Sequence, residues 1–262
     1  MTPAANYPYC ATRFAAMAHR GGPGWEVNRG RENTLAAFRA AVSLGYRYIE
    51  TDVQATRDHE LVCFHDPTLE RMTGLPGRVR DYTAAELSSA RVGGGEPIPL
   101  FAEVVEALPD TCFNVDLKTA GSVEPLVRVI REHHLANRIL VDSFSPGRLG
   151  RFRAMSSRSV PTAMTPIAAA VTALTPFARA NSPQGVALQV PVRVPIGRRT
   201  LPILTQATID RVHRIGKVIH VWTINDAAEM ARLIDLGVDG IITDHPDLLK
   251  NVLIDHDLWE NT

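Results

Sequence analysis

The sequence lacks the features that mark several large classes of protein. Its three cysteines (Cys10, Cys63 and Cys112) are odd in number and widely spaced, which excludes a disulfide framework and a paired zinc knuckle. The 28 Lys and Arg residues are balanced by 28 Asp and Glu residues, whereas nucleic-acid binders normally carry a basic excess on one face. No apolar run approaches the roughly 20 residues of a membrane-spanning helix, and the first residues lack the apolar stretch of a secretory signal. We therefore expect a cytoplasmic protein with no nucleic-acid partner and no integral membrane segment.

Short β-rich segments alternate with amphipathic helical segments along the chain. The predicted strands are Phe14–Ala18, Tyr46–Val53, Cys112–Leu117, Ile139–Asp142, Ser159–Thr162, Gly185–Leu188, Val218–Thr223 and Gly240–Thr243. The predicted helices are Thr34–Leu44, Phe101–Leu108, Ser122–His133, Pro146–Met155, Pro166–Arg179, Gln206–Ile215, Ala227–Leu236 and Pro246–Leu253. Strands that are joined by helices lie parallel, and about eight such units fit a single (β/α)8 TIM barrel. We predict one domain over residues 1–262 with a core from about 14 to 252.

Two stretches are longer than the roughly 2–6 residues of an ordinary connection. Asp66–Pro99 is rich in glycine and follows a further short strand, Leu61–Phe64, while Gln189–Thr205 is rich in proline and arginine. Each is either a plain surface loop or a lid over the site. Asp66–Pro99 is also too short for the independent core of a large inserted subdomain.

Acidic side chains lie near the ends of two predicted strands. Glu50 and Asp52 are two residues apart, so both side chains point to one face. Asp116 and Lys118 have the same spacing. Unpaired charge inside a barrel costs roughly several kcal/mol, so acids on the inner face are compatible with a hard divalent cation held by oxygen ligands. The alternatives are acids that face water and a buried Asp116–Lys118 ion pair.

Two of the nine histidines lie where barrel enzymes carry their active sites. His19 and His65 each end a strand-like run, and Arg20 follows the first. A pair of imidazoles can act as base and acid in turn, and arginine suits phosphate oxygens. The histidines expected on the surface or in the core are His59, His133, His134, His213, His245 and His256. The role of His220 stays open, because this histidine shares a strand face with Trp222.

Taken in order, these residues closely resemble the glycerophosphodiester phosphodiesterase family. The matching motifs are His19-Arg20-Gly21, Glu32-Asn33-Thr34, Glu50-Thr51-Asp52-Val53, His65-Asp66, Asp116-Leu117-Lys118, Val221-Trp222-Thr223-Ile224-Asn225 and Gly240-Ile241-Ile242-Thr243-Asp244-His245-Pro246. The resemblance runs from about Phe14 to Val252, and a match this long, in this order, is highly specific.

The resemblance implies a TIM-barrel hydrolase that cleaves a glycerophosphodiester into glycerol 3-phosphate and an alcohol. A glycerol hydroxyl would attack phosphorus, and water would then open the cyclic phosphate. The residues that the family pattern implies are Glu50, Asp52 and Asp116 for one divalent cation (Ca²⁺ or Mg²⁺, with Mn²⁺ as a further candidate), Arg20 and Lys118 for the phosphate, and His19 and His65 for the acid and base.

The chain departs from the family pattern at two points. The family usually has Glu where this chain has Asp116, one methylene shorter, and a proline commonly stands where this chain has Arg31. The approach to that motif, Gly22–Gly30, is longer and would reshape the alcohol side of the pocket. Phe144 and Trp222, near two strand ends, either pack on the glycerol or leaving group or belong to the core.

The sequence is also compatible with two other functions. A lysophospholipase D-type enzyme would act on an acylated glycerophosphate, with Gln189–Thr205 as an apolar-edged entrance. A catalytically silent barrel would only bind a phosphorylated metabolite, although the retained histidines and acids argue against it.

Overall fold

The computed structural model describes residues 3–174, 184–196 and 199–259. Its strands are β1 Ala15–His19, β2 Tyr48–Ala55, β3 Leu61–Cys63, β4 Arg91–Val92, β5 Glu96–Pro97, β6 Cys112–Leu117, β7 Ile139–Asp142, β8 Ala187–Val190, β9 Arg193–Ile196, β10 Arg199–Pro202, β11 Val218–Val221 and β12 Gly240–Thr243. Its α-helices are α1 Leu35–Ser43, α2 Glu70–Thr73, α3 Ala84–Leu87, α4 Phe101–Ala107, α5 Val123–Glu132, α6 Pro146–Met155, α7 Pro166–Leu174, α8 Gln206–Arg214, α9 Ala227–Leu236 and α10 Pro246–Asp255. Within the described ranges, no helix has the length and hydropathy needed to cross a membrane.

The parallel sheet curls into the predicted TIM barrel. Its strand order is β7-β6-β2-β1-β12-β11-β8, and β3 pairs with β2 off this path in antiparallel fashion. Parallel bridges from Val141 to Thr162 and from Ala163 to Ala187 join the two ends of that order. The segment at Thr162 and Ala163 therefore takes the place of a strand between β7 and β8, and the (β/α)8 prediction is confirmed.

Alternation along the strands separates the inner from the outer residues. Ile49 and Val53 on β2 pack outward into the main apolar cluster between the sheet and the helices, while Tyr48 belongs to a second cluster with Met17 and Ile242. Because the side-chain period of a strand is two, Glu50 and Asp52 share the inner face with Tyr48. The acids predicted to share a face therefore point into the barrel.

Several predicted strand ends differ from the structure by one or two residues, and two predicted strands are wrong for a reason that lies in the backbone. The segment Ser159–Thr162 forms only isolated bridges, since Pro161 has no N–H to donate to a ladder. The strand predicted at Gly185–Leu188 begins at Ala187, because Gly185 has a φ of 103° and is not extended. Part of the predicted helix Pro166–Arg179, residues 175–179, lies outside the described residues.

Both long connections contain secondary structure of their own. The segment 66–99 contains α2, α3 and the small β4–β5 pair, and its side chains pack with those of β3 in a separate apolar cluster. That cluster comprises Val62, Phe64, Leu69, Val79, Leu87, Ala90, Val92 and Ile98. The segment 189–205 contains the antiparallel hairpin β9–β10. The plain-loop interpretation is therefore wrong for both segments, while the lid role stays a prediction.

Candidate active site

A cavity of about 200 Å³ opens at the carboxyl ends of the barrel strands. The predicted site residues all line it, namely His19, Arg20, Glu50, Asp52, His65, Asp116, Lys118, Phe144 and Trp222. The lining residues that were not predicted from the sequence are Asn114, Asp142, Gln189, Thr223 and Ile242. Active sites of TIM barrels lie at this end. The structure thus brings the predicted residues together, while their individual roles stay predictions.

The turn after β1 places Arg20 above the carboxylates. Arg20 has a φ of 50°, and Gly22 has a φ of 85°. A Cβ on Gly22 would lie 2.5 Å from Cδ of Pro246, so only glycine permits this close approach to α10. The Arg20 N–H donates to the Glu50 carbonyl oxygen at 3.0 Å and to Glu50 Oε2 at 3.1 Å. These contacts fix the turn relative to β2.

Asp52 lies at the centre of a buried charge cluster. Lys118 Nζ is 2.8 Å from Asp52 Oδ1 and 2.7 Å from Asp116 Oδ2. Arg20 Nε forms an ion pair with Asp52 Oδ2 at 3.1 Å, without the alignment of a hydrogen bond. Burial raises the pKa of Asp52, but the charges of Lys118 and Arg20 outweigh it and lower that pKa below its ordinary value. Asp52 is therefore ionised at neutral pH.

Asn33 and Thr34 are adjacent in the sequence but have different structural roles. The Asn33 amide donates to Asp52 Oδ2 at 2.9 Å, and its carbonyl oxygen accepts from the Thr51 hydroxyl at 2.8 Å. Thr34 instead begins α1, since its hydroxyl oxygen accepts from the Ala37 N–H at 3.2 Å. Asn33 therefore positions the Asp52 carboxylate.

His19 has a carboxylate near each ring nitrogen. Its Nδ1 lies 2.6 Å from Asp244 Oδ1, and its Nε2 lies 3.8 Å from Glu50 Oε2. Asn225 Nδ2 donates to the other oxygen of Asp244 at 2.8 Å, which fixes that carboxylate. Burial lowers the pKa of His19, but the charge of Glu50 and the hydrogen bond with Asp244 raise it above its ordinary value. With Nδ1 held by Asp244, Nε2 is the nitrogen left to exchange protons in the cavity.

His65 also has a carboxylate at its Nδ1 atom. Its Nδ1 lies 2.8 Å from Asp66 Oδ1, and the Arg71 guanidinium of α2 hydrogen-bonds both Asp66 oxygens. Chiefly through the Arg71 hydrogen bonds, the pKa of Asp66 falls to about 2. Arg71 also donates to Glu32 Oε1 at 2.6 Å, and Glu32 accepts from Arg20 at 3.3 Å. The segment 66–99 therefore contributes a cation, Arg71, that links the His65–Asp66 pair to the turn that carries Arg20.

The donor chemistry of Glu50, Asp52 and Asp116 fits a divalent cation. Asp116 Oδ1 is buried and has no hydrogen-bond partner among the described residues. Burial, with the charge of Asp52, raises the pKa of Glu50 to about 7. A cation among these oxygens would satisfy the orphaned atom and relieve the repulsion. In the described ranges, no three His, Cys, Asp or Glu side chains are already grouped as a metal site, and Lys118 bridges two of the acids instead.

Asp142 is an acidic residue of the cavity that was not predicted from the sequence. It pairs in register with Asp116 across the β6–β7 ladder. Burial, followed by the charge of Asp116, raises its pKa to about 7, and the Ser143 N–H donates to its Oδ1 at 2.6 Å. An acid that ends a predicted strand was the signal that selected Asp116, and it applies equally to Asp142.

His220 lies buried beneath the cavity. His220 is 3% exposed, and burial lowers its pKa to about 4. Its Nδ1 lies 3.1 Å from Gln189 Nε2, which also donates to Asn114 Oδ1 at 3.0 Å. His220 does not line the cavity. It is therefore a neutral support beneath two amides that do.

Phe144 and Trp222 mark the boundary with a second cavity. The rings pack edge to face with centroids 5.7 Å apart, and Phe144 is 57% exposed. Both also line an adjoining groove of about 300 Å³. Its apolar wall consists of Met164, Pro166, Ala169, Ala170, Val190, Pro191, Val194 and Ile203. Trp222 also packs partly against the inner apolar cluster, so it belongs in part to the core, while its contact with the glycerol or leaving group stays a prediction.

Other predicted features lie away from this cavity. None of residues 22–30 lines the cavity, and Gly24 packs against the His245 ring instead. No direct contact therefore supports the predicted influence of Gly22–Gly30 on the pocket. The histidines assigned to the surface or core line no part of the cavity either.

Comparisons with known proteins identify the class to which this fold and site belong. The sequence pattern of the Glycerophosphoryl diester phosphodiesterase family matches residues 19–248. The chain therefore belongs to this family, and it is a phosphoric diester hydrolase.

Individual relatives agree with this assignment. The chain is 38% identical to the "Probable glycerophosphodiester phosphodiesterase 2" of Mycobacterium tuberculosis, over 94% of this chain and 92% of the relative. It is 29% identical to a lysophospholipase D of Mus musculus, over 90% and 85% of the two chains. A phosphodiesterase of Oleispira antarctica, solved in complex with the product sn-glycerol-3-phosphate, superimposes with a TM-score of 0.77 at 22% identity, covering 92% of this chain and 96% of that chain. The structural likeness supports the fold.

Proposed function

We propose that the protein hydrolyses glycerophosphodiesters to glycerol 3-phosphate and an alcohol with the help of one divalent cation. The main support is that His19 and His65 line the same cavity and that each has a carboxylate at its Nδ1 atom. The distance is 2.6 Å from His19 to Asp244 and 2.8 Å from His65 to Asp66. Phosphoryl transfer with acid–base catalysis needs two such groups, one at the attacking oxygen and one at the leaving oxygen. The glycerol 3-phosphate bound by the Oleispira antarctica protein supports the proposed product.

The charged side chains have complementary tasks. Glu50, Asp52 and Asp116 would hold the cation, Ca²⁺ or Mg²⁺ with Mn²⁺ as a further candidate, which when bound supplies charge that stabilises the phosphate oxygens. Arg20 and Lys118 bind the phosphate, the first with a planar fork and the second as a point charge.

The reaction proceeds in two halves. First, one histidine takes a proton from the glycerol 2-hydroxyl as its oxygen bonds to phosphorus. The other histidine protonates the alcohol oxygen as the bond from phosphorus to that oxygen breaks, which leaves a cyclic phosphate. In the second half, water loses a proton and attacks phosphorus, and the 2-oxygen leaves with a proton to give glycerol 3-phosphate. Either histidine can serve as the first base, because both have the same hydrogen-bonding arrangement at Nδ1.

A panel of glycerophosphodiesters with varied head groups, assayed for glycerol 3-phosphate with each metal, tests the proposal. His19→Ala and His65→Ala should each reduce turnover about 10²-fold or more. His213→Ala is the matched control, because His213 also pairs with a carboxylate, Asp239, at 2.8 Å but does not line the cavity. Full turnover in either site variant would refute the assignment of that histidine.

The apolar groove favours a second candidate, hydrolysis of lyso-lipids. It is continuous with the catalytic cavity through Phe144 and Trp222, so an acyl chain attached to the substrate has an apolar surface beside the phosphate site. Ala170→Phe on α7 should fill the groove, whereas Ala228→Phe on the exposed face of α9 should not. If lyso-lipids are the better substrates, Ala170→Phe will raise their KM and leave that of glycerophosphocholine unchanged.

A third candidate is a barrel that binds a phosphorylated metabolite without catalysis. Purified protein that is supplied with a divalent metal, binds glycerol 3-phosphate and shows no diesterase turnover would favour it. The paired histidines and the acids in one cavity favour the enzyme.

A further inference from the structure

A second polar cavity lies at the opposite end of the barrel. Lys217 directly precedes β11 and Val186 directly precedes β8, so both lie at the amino ends of strands whose carboxyl ends face the catalytic cavity. This cavity has a volume of about 520 Å³. Its polar lining includes Tyr7, Arg153, Arg158, Thr162, Gln184 and Lys217. We call it the basal cavity.

Lys217 lies in the basal cavity without a counter-ion. It is only 5% exposed, and over residues 3–174, 184–196 and 199–259 its ammonium has no ion-pair partner within 4.0 Å. Among the residues that the structure describes, no Asp or Glu lines the cavity, and the sequence from 175 to 183 contains neither. Burial and the nearby charge of Arg153 both lower the pKa of Lys217. A lysine whose side chain is mostly buried is normally paired, so the Lys217 ammonium, which faces the basal cavity, is free to bind an anion.

The other lysines of the chain, Lys118 and Lys250, have partners. Lys118 Nζ bridges Asp52 and Asp116. Lys250 Nζ donates to the Leu44 carbonyl oxygen at 2.8 Å and lies 5.4 Å from the Trp259 ring centroid. Lys217 is therefore the exception among the lysines.

The walls of the basal cavity are held by hydrogen bonds. The Arg153 guanidinium donates to the Thr162 hydroxyl at 2.9 Å, to the Ala163 carbonyl oxygen at 2.7 Å and to Gln184 at 3.4 Å. These bonds hold a second positive charge beside Lys217. Arg158 lies exposed at the edge of the cavity, so its guanidinium can turn toward a ligand. The arrangement presents fixed positive charge at the floor and a movable cation at the mouth.

We propose that the basal cavity binds a small oxyanion of the phosphate class, with Lys217 as its principal contact and Arg158 as the second. Ammonium and guanidinium groups are the side chains that recognise phosphate oxygens. An anion here would neutralise the field of Arg153 and Lys217 and tie the end of α6 to the start of β11. The site is separate from the catalytic cavity, and the proposal does not depend on the catalytic one.

The experiment compares the effect of inorganic phosphate on the thermal unfolding midpoints of wild type and Lys217→Met. In phosphate-free buffer, the unfolding midpoint of Lys217→Met should match or exceed that of wild type, because the variant replaces an unpaired charge on a mostly buried side chain by an apolar chain of similar length. Phosphate at about ten times its Kd should raise the wild-type midpoint by about 3 °C more than that of Lys217→Met. Lys250→Met is the control and should keep the wild-type increment, and turnover should be unchanged in Lys217→Met. Potassium chloride at equal ionic strength should not reproduce the difference.

Phosphate bound in the catalytic cavity raises both midpoints alike, so the difference between variants isolates the basal cavity. Equal phosphate increments in wild type and Lys217→Met would overturn the proposal. A lower midpoint of Lys217→Met already in phosphate-free buffer would do the same, because it would show that the protein itself stabilises the ammonium. If Lys217→Met does not fold, Lys217→Gln takes its place with the same expected outcomes.

Discussion

Replacing Asp244 by asparagine should impair catalysis through His19 alone. Asp244 Oδ1 lies 2.6 Å from His19 Nδ1, both side chains are mostly buried, and Asn225 holds the carboxylate from the other side. A hydrogen bond to a charged group contributes about 1.5–3 kcal/mol. An increase of about 1.4 kcal/mol in the activation free energy lowers the rate tenfold. We therefore expect kcat to fall about 10- to 100-fold in Asp244→Asn.

The pH dependence of the same variant gives a second readout. Burial lowers the pKa of His19, whereas Glu50 and the hydrogen bond with Asp244 raise it, and the net shift is upward. Removing the Asp244 charge therefore lowers the pKa. The limb of the kcat/KM profile that reports His19 should move to lower pH, whether His19 acts first as acid or as base.

The assay is steady-state release of glycerol 3-phosphate as a function of pH. Asp239→Asn is the matched control, because Asp239 pairs with His213 at 2.8 Å at the other end of the barrel. Its kcat and pH profile should match those of wild type. An unchanged profile in Asp244→Asn, or an equal loss in Asp239→Asn, would refute the role assigned to the Asp244–His19 contact.

Three further predictions concern the metal and the second histidine. Chelation with EDTA should abolish activity and Ca²⁺ or Mg²⁺ should restore it, as measured by product release; full activity in EDTA would contradict the metal proposal. Asp116→Asn should weaken metal binding measured by calorimetry more than it changes the unfolding midpoint, and unchanged affinity would remove Asp116 from the site. Arg71→Ala should lower kcat about tenfold, because Asp66 loses the partner that orients it toward His65. The pKa of Asp66 is lowered in the folded protein, so this carboxylate stabilises the fold at pH values above the ordinary pKa of Asp, and the stabilisation is lost as the pH falls toward about 2. Arg71→Ala should therefore also be less stable than wild type at neutral pH. Arg71→Lys should recover part of the lost kcat and part of the lost stability.

The hydrophobic periodicity of the sequence was enough to predict most of the fold, because it indicates which residues face a core. The alternation at Glu50 and Asp52 placed both acids inside the barrel, and the strand-end rule placed His19 and His65 at the catalytic cavity. Two of the wrong strand predictions occurred where one residue changed the backbone. Pro161 removed a ladder donor and Gly185 took a positive φ, and neither effect alters hydrophobic periodicity.

Partners distant in sequence could not be predicted in the same way. Asp244 reaches His19 across 225 positions, and a contact of that kind appears only when the barrel closes. Arg71 lies in a segment with no strong period, so its hydrogen bonds to Asp66 and Glu32 had no signal in the sequence. Asp142 differs from both, because the strand-end rule applied to it.

The most direct test of the central claim is phosphorus NMR of glycerophosphocholine turnover in ¹⁸O-labelled water with the activating metal present. The proposed mechanism predicts glycerol 3-phosphate as the phosphorus-containing product, with the label on its phosphate, and its formation should be greatly reduced in His19→Ala and His65→Ala. Formation of phosphocholine and glycerol, or turnover that survives loss of both histidines, would contradict it.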